Sequence, residues 1–165
     1  MRINTFEWKG KVLCLRITRA PLLVLAVYYV FAFLSMALPI LGIILTISAG
    51  EQLHFGHGIG LVIFGLLSFF LLRNALWNTR GVEEIEWEED AIIYVANYGW
   101  WKDGRRTITL KGLNITKKIA GYLEDNHWVL VLENGDIVVE SVVKLPLFTI
   151  ENLILELKAK TNNNS

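Results

Sequence analysis

The chain has 165 residues, 53% of them apolar, a mean hydropathy of +0.43 and a formal net charge of zero. The charge is unevenly spread: residues 1–20 carry five Lys/Arg against Glu7, and residues 80–165 carry ten Lys/Arg against fourteen Asp/Glu. An acidic C-terminal half argues against general nucleic-acid binding, which needs a positive excess. The single cysteine, Cys14, excludes an intrachain disulfide and a multi-cysteine zinc site.

Residues 1–20, MRINTFEWKGKVLCLRITRA, form a basic N-terminal segment with two readings. As a helix, Ile3, Phe6, Leu13 and Ile17 share one side, as in an interfacial helix lying on anionic lipid. As a strand, Leu13, Leu15 and Ile17 alternate with Cys14, Arg16 and Thr18. The helix is the preferred reading. The apolar run that follows starts late, is long and lacks an A-x-A site, so a cleaved signal peptide is not expected.

Residues 21–47 contain no charged side chain. A helix of that length reaches about 40 Å, and a bilayer core needs about 30 Å. Pro21 suits its start, and Pro39 is expected to kink it or end its regular part. Tyr28 and Tyr29 carry hydroxyls that seek partners. Residues 48–58 are a polar, glycine-rich turn, and a second span runs from about residue 59 to 77. Gly60, Gly65 and Ser68 are positioned to let the two helices approach. Arg73 and Trp77 near its end, with Arg16 and Arg19 before the first span, are the expected interfacial anchors. Residues 21–79 therefore read as a transmembrane helical hairpin. Lys and Arg flank the spans and are missing from the turn, which predicts cytoplasmic termini.

From Val82 the pattern changes to period two, and residues 80–165 read as a cytoplasmic domain. Strands are expected over 82–87, 91–98, 106–110, 113–119 and within 122–132. A Glu133-Asn-Gly-Asp136 hairpin turn leads to a return strand over 137–143. A helix then begins with Thr149 as its N-cap and Ile150, Leu153, Ile154 and Leu157 as its apolar stripe.

Trp100, Trp101, Lys102, Arg105 and Arg106 are the main candidate site. Indoles beside cations suit the headgroup layer of an anionic membrane. The plainer reading packs the tryptophans on their own sheet and leaves the cations solvated. His54 and His57 lie three apart, but a catalytic zinc site usually needs three protein ligands, so no metal is assigned. The acidic run Glu83, Glu84, Glu86, Glu88, Glu89 and Asp90 is expected to be a solvated strand edge. Cys14 is expected to be a buried or interfacial thiol. No phosphate-binding glycine loop, nucleophile elbow or zinc-protease motif is present, so no enzyme and no cofactor is expected.

The stretches IEWEEDAIIYVANYG, ITLKGLNITKKI, HWVLVLENGDIVVES and FTIENLILELKAK, placed after a two-helix hairpin, resemble the bacterial YcxB-like membrane proteins. That resemblance implies an α+β membrane protein whose hairpin precedes a pleckstrin-homology-like antiparallel sheet or barrel with one C-terminal amphipathic helix. It implies binding of lipids, peptides or other domains. The resulting expectation is a non-enzymatic scaffold or accessory subunit in the bacterial inner membrane, with the bilayer and a partner protein or second copy as its contacts. The alternatives are a membrane-surface sensor acting through residues 100–106 and a toxin-immunity or accessory membrane protein.

Overall fold

The computed structural model describes residues 6–121, 126–135 and 137–163. The chain divides into two compact units, Arg19–Thr79 on one side and Met1–Thr18 together with Arg80–Ser165 on the other.

The first unit is two helices, α1 (Leu22–Ser48) and α2 (Phe55–Arg80). Both are long and apolar enough to cross a membrane. Only Leu25, Ala32 and Ser35 of α1 and Ala75 and Leu76 of α2 are buried, while Phe31, Phe33, Phe69 and Phe70 are exposed. The two helices thus carry apolar side chains on every side, the pattern of a membrane-spanning segment. Polar contacts run in reverse order along the pair, as in an antiparallel hairpin. Tyr29 Oη meets Thr79 Oγ1 at 3.4 Å, Ser68 Oγ donates to the Ala32 carbonyl at 2.7 Å, and Thr46 Oγ1 lies 3.2 Å from His57 Nε2.

Three expectations change here. Pro39 does not end the helix α1, which continues through it to Ser48. The helix α2 is longer than expected at both ends. Gly60 and Gly65 do not mark a close helix approach, because a Cβ on either would meet no atom within 4 Å. Ser68 is the contact-making member of that set.

The second unit begins with β1 (Phe6–Lys9) and β2 (Val12–Arg16). These continue, beyond the helical insertion, into β3 (Val82–Trp87), β4 (Ala91–Asn97) and β5 (Lys102–Thr109). All five are antiparallel neighbours in the order β1-β2-β3-β4-β5. The residues 6–16 are thus a β-hairpin and not an interfacial helix; Ile3 lies outside the described residues. The reason is tertiary. Pairing of Leu13 with Ile85 and of Leu15 with Glu83 takes Leu13 and Leu15 to 0% exposure. A helix would have bonded only to itself and left β3 as an open edge.

A second sheet contains β6 (Asn114–Ile119), β7 (His127–Asn134) and β8 (Ile137–Glu140). The two-residue strand β9 (Leu145–Pro146) pairs with the start of β7. Gly135, at φ +58°, serves the β7–β8 turn that the Asn-Gly pair announced. The helix α3 (Leu147–Asn163) packs on β6, β7 and β9. It starts two residues before Thr149, which is therefore inside the helix and not its N-cap. Pro146 has no N–H to leave unsatisfied and a fixed φ, and leads straight into the first turn.

One core joins both sheets and the helix. Leu13, Leu15, Ile85, Trp87, Ile92 and Ile108 come from the first sheet. Ile115, Leu130, Leu132 and Leu145 come from the second, and Ile150, Leu153 and Leu157 from α3. Residues 80–165 alone would lack the two buried leucines of β2.

This organisation yields an expected outcome. Ile17 N–H donates to the Gly81 carbonyl at 3.3 Å, and Arg16 lies opposite Val82. A turn of about two to five residues can therefore close β2 onto β3. Residues 6–18 joined by such a turn to residues 80–163 will give a soluble protein with a cooperative thermal transition. Residues 80–163 without β1 and β2 will give none and will aggregate.

Candidate functional site

The sheet end from which the chain departs for α1, and to which it returns from α2, is defined by Arg16 and Val82. Asn97 pairs with Val82, so the β4–β5 turn lies at that same end. This turn is short, closed by Tyr98 N–H donating to the Trp101 carbonyl at 2.9 Å. The strand β5 begins at Lys102, earlier than the pattern indicated, because Gly104 is accommodated beside a register shift between Tyr94 and Ala96.

The structure separates the five residues of the candidate tip. Trp100 is 67% exposed. Trp101 stacks on buried Tyr98, with ring centroids 5.3 Å apart. Lys102 Nζ bonds Glu84 Oε2 at 2.6 Å. Arg105 is exposed on the outer sheet face, where it borders a groove with Glu84, Glu86 and Glu88. Arg106 donates to the Val138 carbonyl of the second sheet at 3.2 Å. A cation that the pattern did not place at the tip is there instead. Gly99, at φ +90°, sits so close to Arg80 that a Cβ would come within 3.1 Å of its Cδ.

Among the expected anchors, Arg16 is bonded to Glu7 Oε2 at 2.9 Å, Arg19 is exposed, and Arg73 and Trp77 are half-buried on α2. The imidazoles of His54 and His57 stack, and no cluster of metal-ligating side chains occurs among the described residues.

The acidic run is not one solvated edge. Glu83 is 0% exposed. Its Oε1 accepts from Tyr94 Oη at 2.5 Å and from Val142 N–H at 2.6 Å, and its Oε2 accepts from Val143 N–H at 3.2 Å. The carboxylate thus ties β3 to the link between β8 and β9. Burial pushes its pKa up, against the opposing pull of the three hydrogen bonds. Burial, aided by the Glu83 charge, also raises the Tyr94 phenol. The signal for this was legible: Glu83 is in phase with Ile85 and Trp87, the core face of β3. Glu84, on the opposite face, is raised by burial but lowered more by its bonds to Lys102 and Asn97, and ends below the usual carboxylate range. Cys14 is buried, and burial raises its thiol.

Two further clusters escaped the sequence reading. Lys160 Nζ lies 3.8 Å from the Trp8 ring centroid, and the Trp8 and Trp87 centroids are 5.5 Å apart. Trp8 Nε1 donates to Glu156 Oε2 at 3.1 Å. Together these fasten the end of α3 to β1 by cation–π and hydrogen-bond contacts. Between β6 and α3 lies an open groove of about 510 Å³ with mostly apolar walls. No family model, curated protein or solved structure matches the chain.

Replacing Glu83 by Ala will leave the Tyr94 hydroxyl and two backbone donors buried without partners. We expect a loss of about 3–5 kcal/mol in chemical unfolding. A carboxyl whose folded pKa is raised stabilises most below its unfolded value, about pH 4. That contribution falls as pH rises through the folded value. Glu83→Gln will therefore flatten the decline in unfolding midpoint as pH rises above about 4.

Proposed function

We propose that the chain is a non-enzymatic, membrane-anchored binding module with a pleckstrin-homology-like domain. In this reading it serves as an adaptor or accessory subunit of a protein complex in the bacterial inner membrane. The observation that carries it is the site of the helical insertion. The pair α1–α2 interrupts one sheet between β2 and β3, joined by residues 17–21 on one side and by Gly81 alone on the other. That arrangement suits presentation of a surface to another protein in the same membrane. Two antiparallel sheets closed by one C-terminal helix support the pleckstrin-homology-like assignment. The excess of Lys and Arg outside the spans supports cytoplasmic termini.

A second reading, contact of the β4–β5 tip with anionic headgroups, is favoured by one observation. Trp100 is exposed, and its neighbour Gly99 packs against Arg80, at the sheet end where the chain passes to the helices. An indole and a guanidinium there match the chemistry of the headgroup layer.

Crosslinking and mass spectrometry of the full-length protein, purified gently from its native membrane, tests the first reading. A stoichiometric protein partner crosslinked to residues 6–18 or 80–163 is expected; recovery of the protein alone, across crosslinker chemistries, would remove the adaptor assignment. For the second reading, a nitroxide replaces Trp100 in a Cys14→Ser background. Its accessibility to a lipid-soluble relaxation agent will exceed that to a water-soluble one in vesicles containing phosphatidylglycerol. The reverse ratio would place the tip in water.

A further inference from the structure

The groove between β6 and α3 combines three features. The strand β6 is the end strand of its sheet: it pairs with β7 on one side and, among the described residues, with no strand on the other. Its outward main-chain groups form an open edge, which another extended chain can extend. Beside that edge, Ile115, Ile154 and Leu155 supply apolar lining, and Lys117, Glu151 and Lys158 supply polar rims. Finally, α3 carries a stripe of Phe148, Glu151, Leu155 and Lys158, in which Phe148 is 76% and Leu155 67% exposed. These two large side chains lie outside the Ile150–Leu153–Leu157 stripe that builds the core.

Resting on the adaptor reading, we propose that this groove takes an extended, acidic segment of a partner protein, which adds as a strand to β6 and covers Leu155. The open edge specifies a strand, because only a strand offers a matching row of backbone donors and acceptors. A lipid surface offers no such row. The charge specifies acidity. Lys117 and Lys158 line the groove against Glu151, which bonds Lys117, so one positive charge is in excess there. The sheet unit as a whole is mildly acidic, so this is a local reversal. The same lysines disfavour a second copy, since edge-to-edge pairing of two β6 strands brings like charges together. Alternation supplies specificity: every second side chain of the incoming strand turns toward the groove.

The test uses the full-length protein in phosphatidylcholine nanodiscs. The probe is a fluorescent synthetic peptide of about eight residues, the length of an ordinary strand, alternating Val and Glu. Controls are a Val/Lys peptide and a Val/Glu peptide N-methylated at alternate residues, which keeps the side chains but blocks strand pairing. We expect saturable binding of the Val/Glu peptide alone, with slowed amide exchange over residues 114–119. Leu155→Glu and Lys158→Glu, both at exposed positions and with unchanged Tm, will each weaken binding by about tenfold, or 1.4 kcal/mol. Equal binding of the N-methylated peptide, absence of protection at 114–119, or indifference to Leu155→Glu would overturn the proposal. So would concentration-dependent protection of 114–119 without peptide, which would assign the edge to a second copy. Crosslinking in native membranes separates this from the parent reading. A stoichiometric partner attached elsewhere on the sheet unit keeps the adaptor and removes the groove, whereas no partner at all removes the adaptor.

Discussion

The antiparallel pairing of β2 with β3 is the constraint on which the rest depends. It joins strands separated in sequence by the whole of α1 and α2. Closing a long loop costs entropy, but the cost rises only slowly with loop length. A helical hairpin reduces it further by returning the chain near its starting point. What the pairing gains is large: Leu13 and Leu15 enter a core that β3, β4, the second sheet and α3 share. It is also the reason both chain connections to the helices leave from one sheet end.

Glu83 stands two residues into the strand that follows this junction. Burying a carboxylate is expensive unless donors surround it. Here Tyr94 and two consecutive backbone N–H groups do so. The bonds cross from the first sheet to the segment that introduces β9 and α3. The strand that emerges from α2 is thereby coupled to the C-terminal helix through one side chain. At its far end, α3 is fastened again, where Lys160 rests on Trp8. The helix is thus held at both ends while its Phe148–Leu155 stripe stays uncovered.

These features divide the surface by chemistry. The β4–β5 turn presents an indole with Arg80 beside it, a combination suited to headgroups. The β6 edge and the α3 stripe present backbone, apolar side chains and lysines, a combination suited to a peptide. The outer face of the first sheet is a mixed field in which Glu84 is already paired with Lys102. The three surfaces therefore differ in the chemistry they expose.

The sequence by itself determined the two apolar helices, the period-two strands from Val82, the Asn-Gly turn, and the inward stripe of α3. Each is local: an uninterrupted apolar run, an alternation or a turn residue carries its own physical signature. Residues 6–16 were undetermined locally, since a helix and a strand both gave an apolar side, and only the waiting edge of β3 decided between them. Trp100 through Arg106 looked like one cluster because they are consecutive. The register shift in β5 opposite Tyr94 and Ala96 breaks the alternation of its side chains, so Lys102 met Glu84 while Arg106 met the second sheet. Glu83 resembled its acidic neighbours, and its phase with Ile85 and Trp87 was the only hint of burial. Its donors come from residues 142 and 143, far along the chain. Contacts of that separation, like the groove between β6 and α3, exist only once the two sheets and the helix have packed.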